Sequence, residues 1–270
     1  RIADMSGNRT FQTAGVRVTT GPAGFSDAGI QALGSGVTVA YTASSDSYTL
    51  TAPDNTTATF APSDVVPSAA PNAQVWMKPS VIPSEAPAVE QGSLTLAVPV
   101  VNGVPLSYTI FGSWAYRDAG QPRTWLAVGG VPTVASDMPR TGGATYSMAA
   151  GGAAFQPGAA PITLDGYSTA TFSADFAGNS VTTALTLAGQ PSTAGPISTG
   201  PSVIAFGTFS GTGTIAGSGP GFTGTLSGAN GAAGSFSGAF FGPAAREVGY
   251  AWFLNGAGFS AVGGAAGVKR

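Results

Sequence analysis

Between residues 232 and 242 the sequence AAGSFSGAFFG places Gly234, Phe236, Gly238, Phe240 and Gly242 at alternate positions. In an extended chain, alternate residues share one face. A strand with phenylalanine and glycine on one face suits the inner wall of a small closed barrel. The large rings fill the interior, and the glycines let the backbone bend while neighbouring rings cover them. The rest of the C-terminal half has the same texture. Segments 144–151, 168–178, 180–189, 202–217, 221–228, 233–242, 249–256 and 259–269 read as short strands separated by Gly-rich turns. Eight antiparallel strands are enough to close an up-and-down barrel. Tyr250 and Trp252 alternate and are expected to point inward. The interruption GPAAREV (242–248) reads as one helical turn, with Pro243 at its first position and Ala244 and Ala245 favouring helix. Glu247 is expected to fix that turn, pair with Arg246, or plug the barrel rim.

The N-terminal half differs. VTVAYTASSDSYTLTAP (37–53) reads as a hairpin, and ATFAPSDVV (58–66) as a short strand running into a turn. Pro67, Pro71, Pro79, Pro83 and Pro87 exclude a helix or a central strand over 67–92, so a long excursion is expected there, with VWMKP as an edge strand. Asn102-Gly103 between two apolar runs is the strongest hairpin signal, and RTWLAVGG (123–130) supplies a further strand. Residues 131–142 look like a linker. The expected fold is therefore all-β: a β-sheet domain over 1–136 with a Pro-rich excursion, then an eight-stranded antiparallel up-and-down barrel over 137–270.

Composition narrows the chemistry. The chain has no cysteine and no histidine, a net charge of −2 and only 8% charged residues. No disulfide framework or thiolate metal site is available. The usual general base and commonest metal ligand are missing, so a Ser-His-Asp arrangement is ruled out. No basic run exists to displace counterions from nucleic acid. Asp137, Asp165 and Asp175 fall at strand ends and read as turn caps. No metal and no cofactor is expected; haem would have to use Tyr116 or Met77 as its axial ligand. Serine and threonine take over the solubilising role of charge. No stretch reaches the ~18 apolar residues of a membrane-spanning helix, and the chain begins at Arg1 without an initiator methionine.

One cluster stands out as a binding candidate. VWMK, SWAYR and RTW bring together Trp76, Trp114, Tyr116, Arg117, Arg123 and Trp125, the residue types that dominate binding hot spots. Either the tryptophans fill the core of the first domain with the arginines at its rim, or the six form a ligand or partner surface. A concave site near Trp114 and Trp125 would indicate capture; a flat apolar patch would indicate assembly.

The C-terminal segments also carry a family resemblance. GSFSGAFFGPAAREVGYAWFL, STATFSADFAGNSV, the pair FSGTGTIAG and GFTGTLSG, and the closing FSAVGGAAGVKR resemble the C-terminal barrel of transferrin-binding protein B-like surface lipoproteins. Gly234, Phe236, Gly238, Phe240, Gly242, Pro243, Ala245 and Glu247 match the pattern; Val248-Gly249 stands where Gly-Gly is usual. The resemblance covers residues 140–270 best and implies that the first half is a "handle" domain. It further implies a non-enzymatic lipoprotein of a Gram-negative bacterium, held on the extracellular face of the outer membrane by an acylated cysteine upstream of Arg1. The implied partners are a TonB-dependent transporter and a host protein, haem or another solute. The alternative is a structural or adhesive subunit without a small-molecule site.

Overall fold

The computed structural model describes residues 7–21, 24–78, 90–118, 120–191 and 202–270. Of the Pro-rich excursion, 79–89 lies outside them. Before Pro62 run β1 (Arg9–Gln12), β2 (Ala14–Gly21), β3 (Gly24–Gln31), β4 (Thr38–Thr42), β5 (Ser47–Thr51) and β6 (Thr57–Phe60). Then come β7 (Val65–Val66), β8 (Ala73–Met77), β9 (Glu90–Ala97), β10 (Val100–Val101), β11 (Val104–Pro105), β12 (Thr109–Asp118) and β13 (Gln121–Gly130). The last group is β14 (Gly143–Phe155), β15 (Ile162–Thr163), β16 (Thr169–Asp175), β17 (Ser180–Pro191), β18 (Ile204–Ile215), β19 (Gly221–Gly228), β20 (Ala233–Phe241), β21 (Glu247–Gly256) and β22 (Phe259–Lys269).

The eight long strands after residue 142 form the expected barrel. Antiparallel neighbours run from β14 through β16 to β22, and β14 closes on β22 over Tyr146–Phe155. The interior is filled. Tyr146, Phe172, Phe222, Phe236, Phe240, Tyr250 and Trp252 form one buried core. Phe172 stacks on Tyr250 with centroids 5.6 Å apart. Rings cover glycines as the alternation predicts: a Cβ at Gly224 would lie 2.3 Å from Cζ of Phe236, and one at Gly263 would lie 2.6 Å from Cζ2 of Trp252.

The barrel exterior has two characters. Across β16 to β20 the register aligns Ser173, Thr182, Thr212, Thr225 and Ser235 in one row of hydroxyls. Across β20 to β22 the outward residues are apolar or small: Ala239, Phe241, Ala251, Val262 and Ala266. A seven-stranded sheet, ordered β3-β2-β13-β12-β9-β8-β7, packs one face on this apolar wall. Its Val16, Val18 and Val128 are buried there. Its other face packs on the four-stranded sheet β1-β4-β5-β6 around Tyr41, Leu50, Phe60, Trp76 and Trp114.

Two local expectations are revised. Val75, Trp76 and Met77 of VWMKP belong to β8, which is not the edge strand, because the short β7 pairs outside it. GPAAREV is not a regular helical turn: Pro243–Ala245 is a single 3₁₀ turn in which Ala244 and Ala245 have φ of 52° and 56°. Left-handed alanines are strained and persist only where surroundings fix them. Here the Ala244 N–H donates to Asp137 Oδ2 (2.7 Å), Tyr146 OH donates to the Ala245 carbonyl (2.7 Å), and Thr133 Oγ1 donates to the Gly242 carbonyl (2.6 Å).

Candidate functional site

Four of the six residues of the sequence-predicted cluster meet inside the protein, Arg123 borders them on the same face, and Arg117 lies on the opposite face. Trp76, Trp114, Tyr116 and Trp125 are each 3% exposed or less, between the seven-stranded and four-stranded sheets. The reason is register. Trp114 and Trp125 are direct cross-strand partners, and Trp76 joins the same face through Leu94. Tyr116 lies against Trp114 with centroids 4.6 Å apart, and its hydroxyl accepts a hydrogen bond from Trp125 Nε1 (3.1 Å). Arg117 is exposed and donates to the Gly120 carbonyl. Arg123 bridges Asp118 (2.8 Å) and Asp54 (3.6 Å) at the sheet margin. Of the two residues considered for haem, Tyr116 is in this core and Met77 is exposed.

The three acids read from sequence as turn caps each accept from nearby backbone N–H groups. Asp175 caps its own turn at Ala177 and Gly178, Asp165 accepts from Gly152 N–H (2.8 Å), and Asp137 holds the 243–245 turn. Glu247 does something else. It is 3% exposed, and its carboxylate accepts from Ser107 N–H (2.8 Å), Tyr108 N–H (2.9 Å) and Thr109 Oγ1 (2.9 Å). It therefore ties the start of β12 to the barrel rather than pairing with Arg246. Among the described residues no group of three or more acids is placed to hold a metal ion.

The concave feature lies behind the aromatic cluster, on the opposite face of the same strands. Residues next to Trp114 and Trp125 in sequence, namely Ser113, Thr124 and Leu126, point away from the aromatic core toward the barrel. Between them and the barrel wall is a cleft of about 800 Å³. Its roof is Val18 and Thr20 of β2, Thr124 and Leu126 of β13, Phe111 and Ser113 of β12, and Thr95 and Ala97 of β9. Its floor is the Ala149–Ala153 run of β14, Ala251 of β21, and Val262, Gly263 and Gly264 of β22. Small floor residues leave the space open, because the two β layers touch through larger side chains on either side of it. Asp165, Ala70 and Val100 stand exposed at its rim. The volume and the apolar lining with a few polar groups are those of a ligand pocket. Sequence reading missed the cleft. The period-two alternation of β12 and β13 did separate its roof from the tryptophans, but nothing local showed that the barrel wall lay opposite.

The architecture is thus an all-β one in which open sheets pack on a closed eight-stranded barrel. No protein-family model matches the sequence, and no curated protein matches it. Solved structures do share the fold. A double mutant of the vaccine antigen transferrin binding protein B from Haemophilus parasuis superposes with a TM-score of 0.52 at 14% identity, covering 97% of this chain and 44% of that one. Isotype 1 transferrin binding protein B from serogroup B Neisseria meningitidis gives 0.50 at 18% identity, covering 97% and 43%. The chain spans less than half the length of these neighbours. The likeness is one of fold, and it matches the resemblance carried by the Gly-x-Phe strand and Glu247.

Proposed function

We propose that this chain is the binding portion of a lipid-anchored protein on the outer-membrane surface of a Gram-negative bacterium, and that it captures a ligand in the cleft between its open sheets and its barrel. The observation that carries this is the cleft itself, about 800 Å³ and largely apolar. A pocket of this size and lining is suited to burying a small molecule. The fold likeness to transferrin binding protein B supports a surface location and a capture role, and it makes a TonB-dependent transporter the natural recipient of what is captured. A chain without histidine or cysteine is better suited to binding than to catalysis. In this reading Arg117, exposed at the end of β12, is the one of the six sequence-predicted residues open to a macromolecular partner, and the buried tryptophans serve as core.

The test is retention of outer-membrane proteins and small molecules from the native organism by the immobilised chain, analysed by mass spectrometry. Two variants close the cleft from opposite walls, Ala153→Trp from the barrel and Ser113→Trp from the sheet. Recovery of a small molecule by the wild type and its loss in both variants is the expected result. Recovery that neither variant changes would overturn the cleft as the capture site. Recovery only of surface proteins, with no small molecule, would favour a structural or adhesive subunit.

A further inference from the structure

The charge pattern around the cleft points to the class of molecule it takes; this inference rests on the capture reading above. Its walls are neutral. The polar groups of the roof are hydroxyls, on Thr20, Thr95, Ser113 and Thr124, and the Asn72 amide at the margin donates to the Val98 carbonyl (2.7 Å). Asp165 is the one charged residue in the lining. Its Oδ1 accepts from Gly152 N–H, and among the described residues Oδ2 has no protein donor. The carboxylate sits directly over the β14 backbone, since a Cβ at Gly151 would come 1.8 Å from Oδ1. That position is fixed by the left-handed turn at Gly166 and by Leu164, whose carbonyl accepts from Tyr167 and Ser168. The cations of the roof strands are elsewhere. Arg17 and Arg123 project from the opposite face of the sheet and are paired with Asp27 and Asp118, and Arg117, on the cleft-side face of β12, lies beyond the lining at the strand's end, where it donates to the Gly120 carbonyl.

We propose that the cleft binds an apolar small molecule carrying a single positively charged nitrogen, with the apolar body between Leu126 and the Ala153 wall and the ammonium group on Asp165. A ligand with a carboxylate or phosphate meets the Asp165 charge with no cation in the lining to offset it, and removing its charge from water goes uncompensated. Anionic metal chelates are therefore the wrong class for this cleft. Because Asp165 is exposed, the preference is modest, about threefold for the cation over the anion, as expected for a solvent-screened pair.

Three fluorescent rods with the same body test this: diphenylhexatriene, its trimethylammonium derivative and its propionic acid derivative, titrated into the purified chain. The expected order of affinity is ammonium, then neutral, then propionate. Asp165→Asn should bring ammonium and propionate to the same affinity, and Ala153→Trp and Ser113→Trp should weaken all three. Raising the salt concentration should narrow the gap between the charged probes. Equal or tighter binding of the propionate by the wild type would overturn the charge assignment and leave the cleft in place. Binding of all three that neither tryptophan variant alters, or no binding of any, would overturn the cleft reading itself.

Discussion

Among the buried polar side chains of the described residues, Glu247 is the one whose removal the fold should tolerate least. It is buried, and it accepts from two backbone N–H groups and one hydroxyl at Ser107, Tyr108 and Thr109. A buried acceptor of this kind matters less for its net attraction than for what its loss strands. Glu247→Ala leaves three donors facing a void, and we expect a loss of about 3 kcal/mol in urea unfolding. Glu247→Gln keeps the shape but turns an N–H₂ toward one of those donors, so its loss should be smaller, about 1 to 2 kcal/mol. A glutamine variant as damaging as the alanine would mean that charge dominates; an alanine variant of wild-type stability would remove Glu247 from the joint altogether. The strained turn just before it fits this role. Left-handed alanines at 244 and 245 are tolerated because Asp137, Tyr146 and Thr133 hold the turn that delivers Glu247 to β12.

At the level of elements, the barrel's filled interior makes a prediction about pH. Burial raises the hydroxyl pKa of Tyr146 and of Tyr250 above the ordinary value of 10.0; for Tyr250, hydrogen bonding with Thr183 offsets part of that rise. The folded chain holds these two protons while the unfolded chain releases them above about pH 10. The stability they contribute is thus complete below that pH and is lost as pH climbs toward the raised values, by about 1.4 kcal/mol per pH unit for each tyrosine. Urea midpoints measured from about pH 8 to pH 11.5 should fall steeply at the alkaline end. Tyr146→Phe and Tyr250→Phe should each flatten that fall, even though each costs about 1 kcal/mol at neutral pH through a lost hydrogen bond. An unchanged alkaline slope in the double variant would contradict the assignment. The inward positions of Phe236, Phe240, Tyr250 and Trp252 were legible in the sequence because a barrel strand has a strict period of two and glycine marks the covered positions. Strand β2 went unread although Ala14, Val16 and Val18 alternate, because it is short and set among threonines and glycines. The positive φ at Ala244 was not legible, because alanine favours helix locally and only the contacts from residues 133, 137 and 146 impose the other conformation. The cleft was invisible for a similar reason. Its lining is drawn from residues 18 to 264, and no local pattern records that Ser113 and Ala153 line the same space.

For the whole molecule, the question is whether the sheets before residue 131 and the barrel after 142 behave as one body. Their contact is made of apolar patches: Val128 and Ala14 on Phe241 and Ala239, Val16 and Val18 on Ala251 and Val262, and Val101 and Leu106 on Ala266. Glu247 and the bridge between Pro132 and Phe241 fasten one end. Parting the layers would expose a continuous apolar face on each, so unfolding should be a single calorimetric transition. The contact is close enough to test with one methyl-bearing side chain. At Gly249 on the barrel wall, a Cβ would lie 2.7 Å from Val128 Cγ2 and 2.8 Å from Thr109 Cγ2. Gly249→Val therefore wedges the layers at the point where Glu247 holds Thr109, and overpacking of this kind costs about 1 to 3 kcal/mol. We expect the transition to broaden or split, and affinity for the cationic probe to fall, since the cleft has one wall on each layer. Ala184→Val adds a similar bulk on β17, where the barrel wall faces away from the sheets, and should leave both transition and binding as in the wild type. If Gly249→Val melted as one transition at the wild-type temperature, the layers would have to be loosely docked, and a cleft between them could not hold a fixed shape for a ligand.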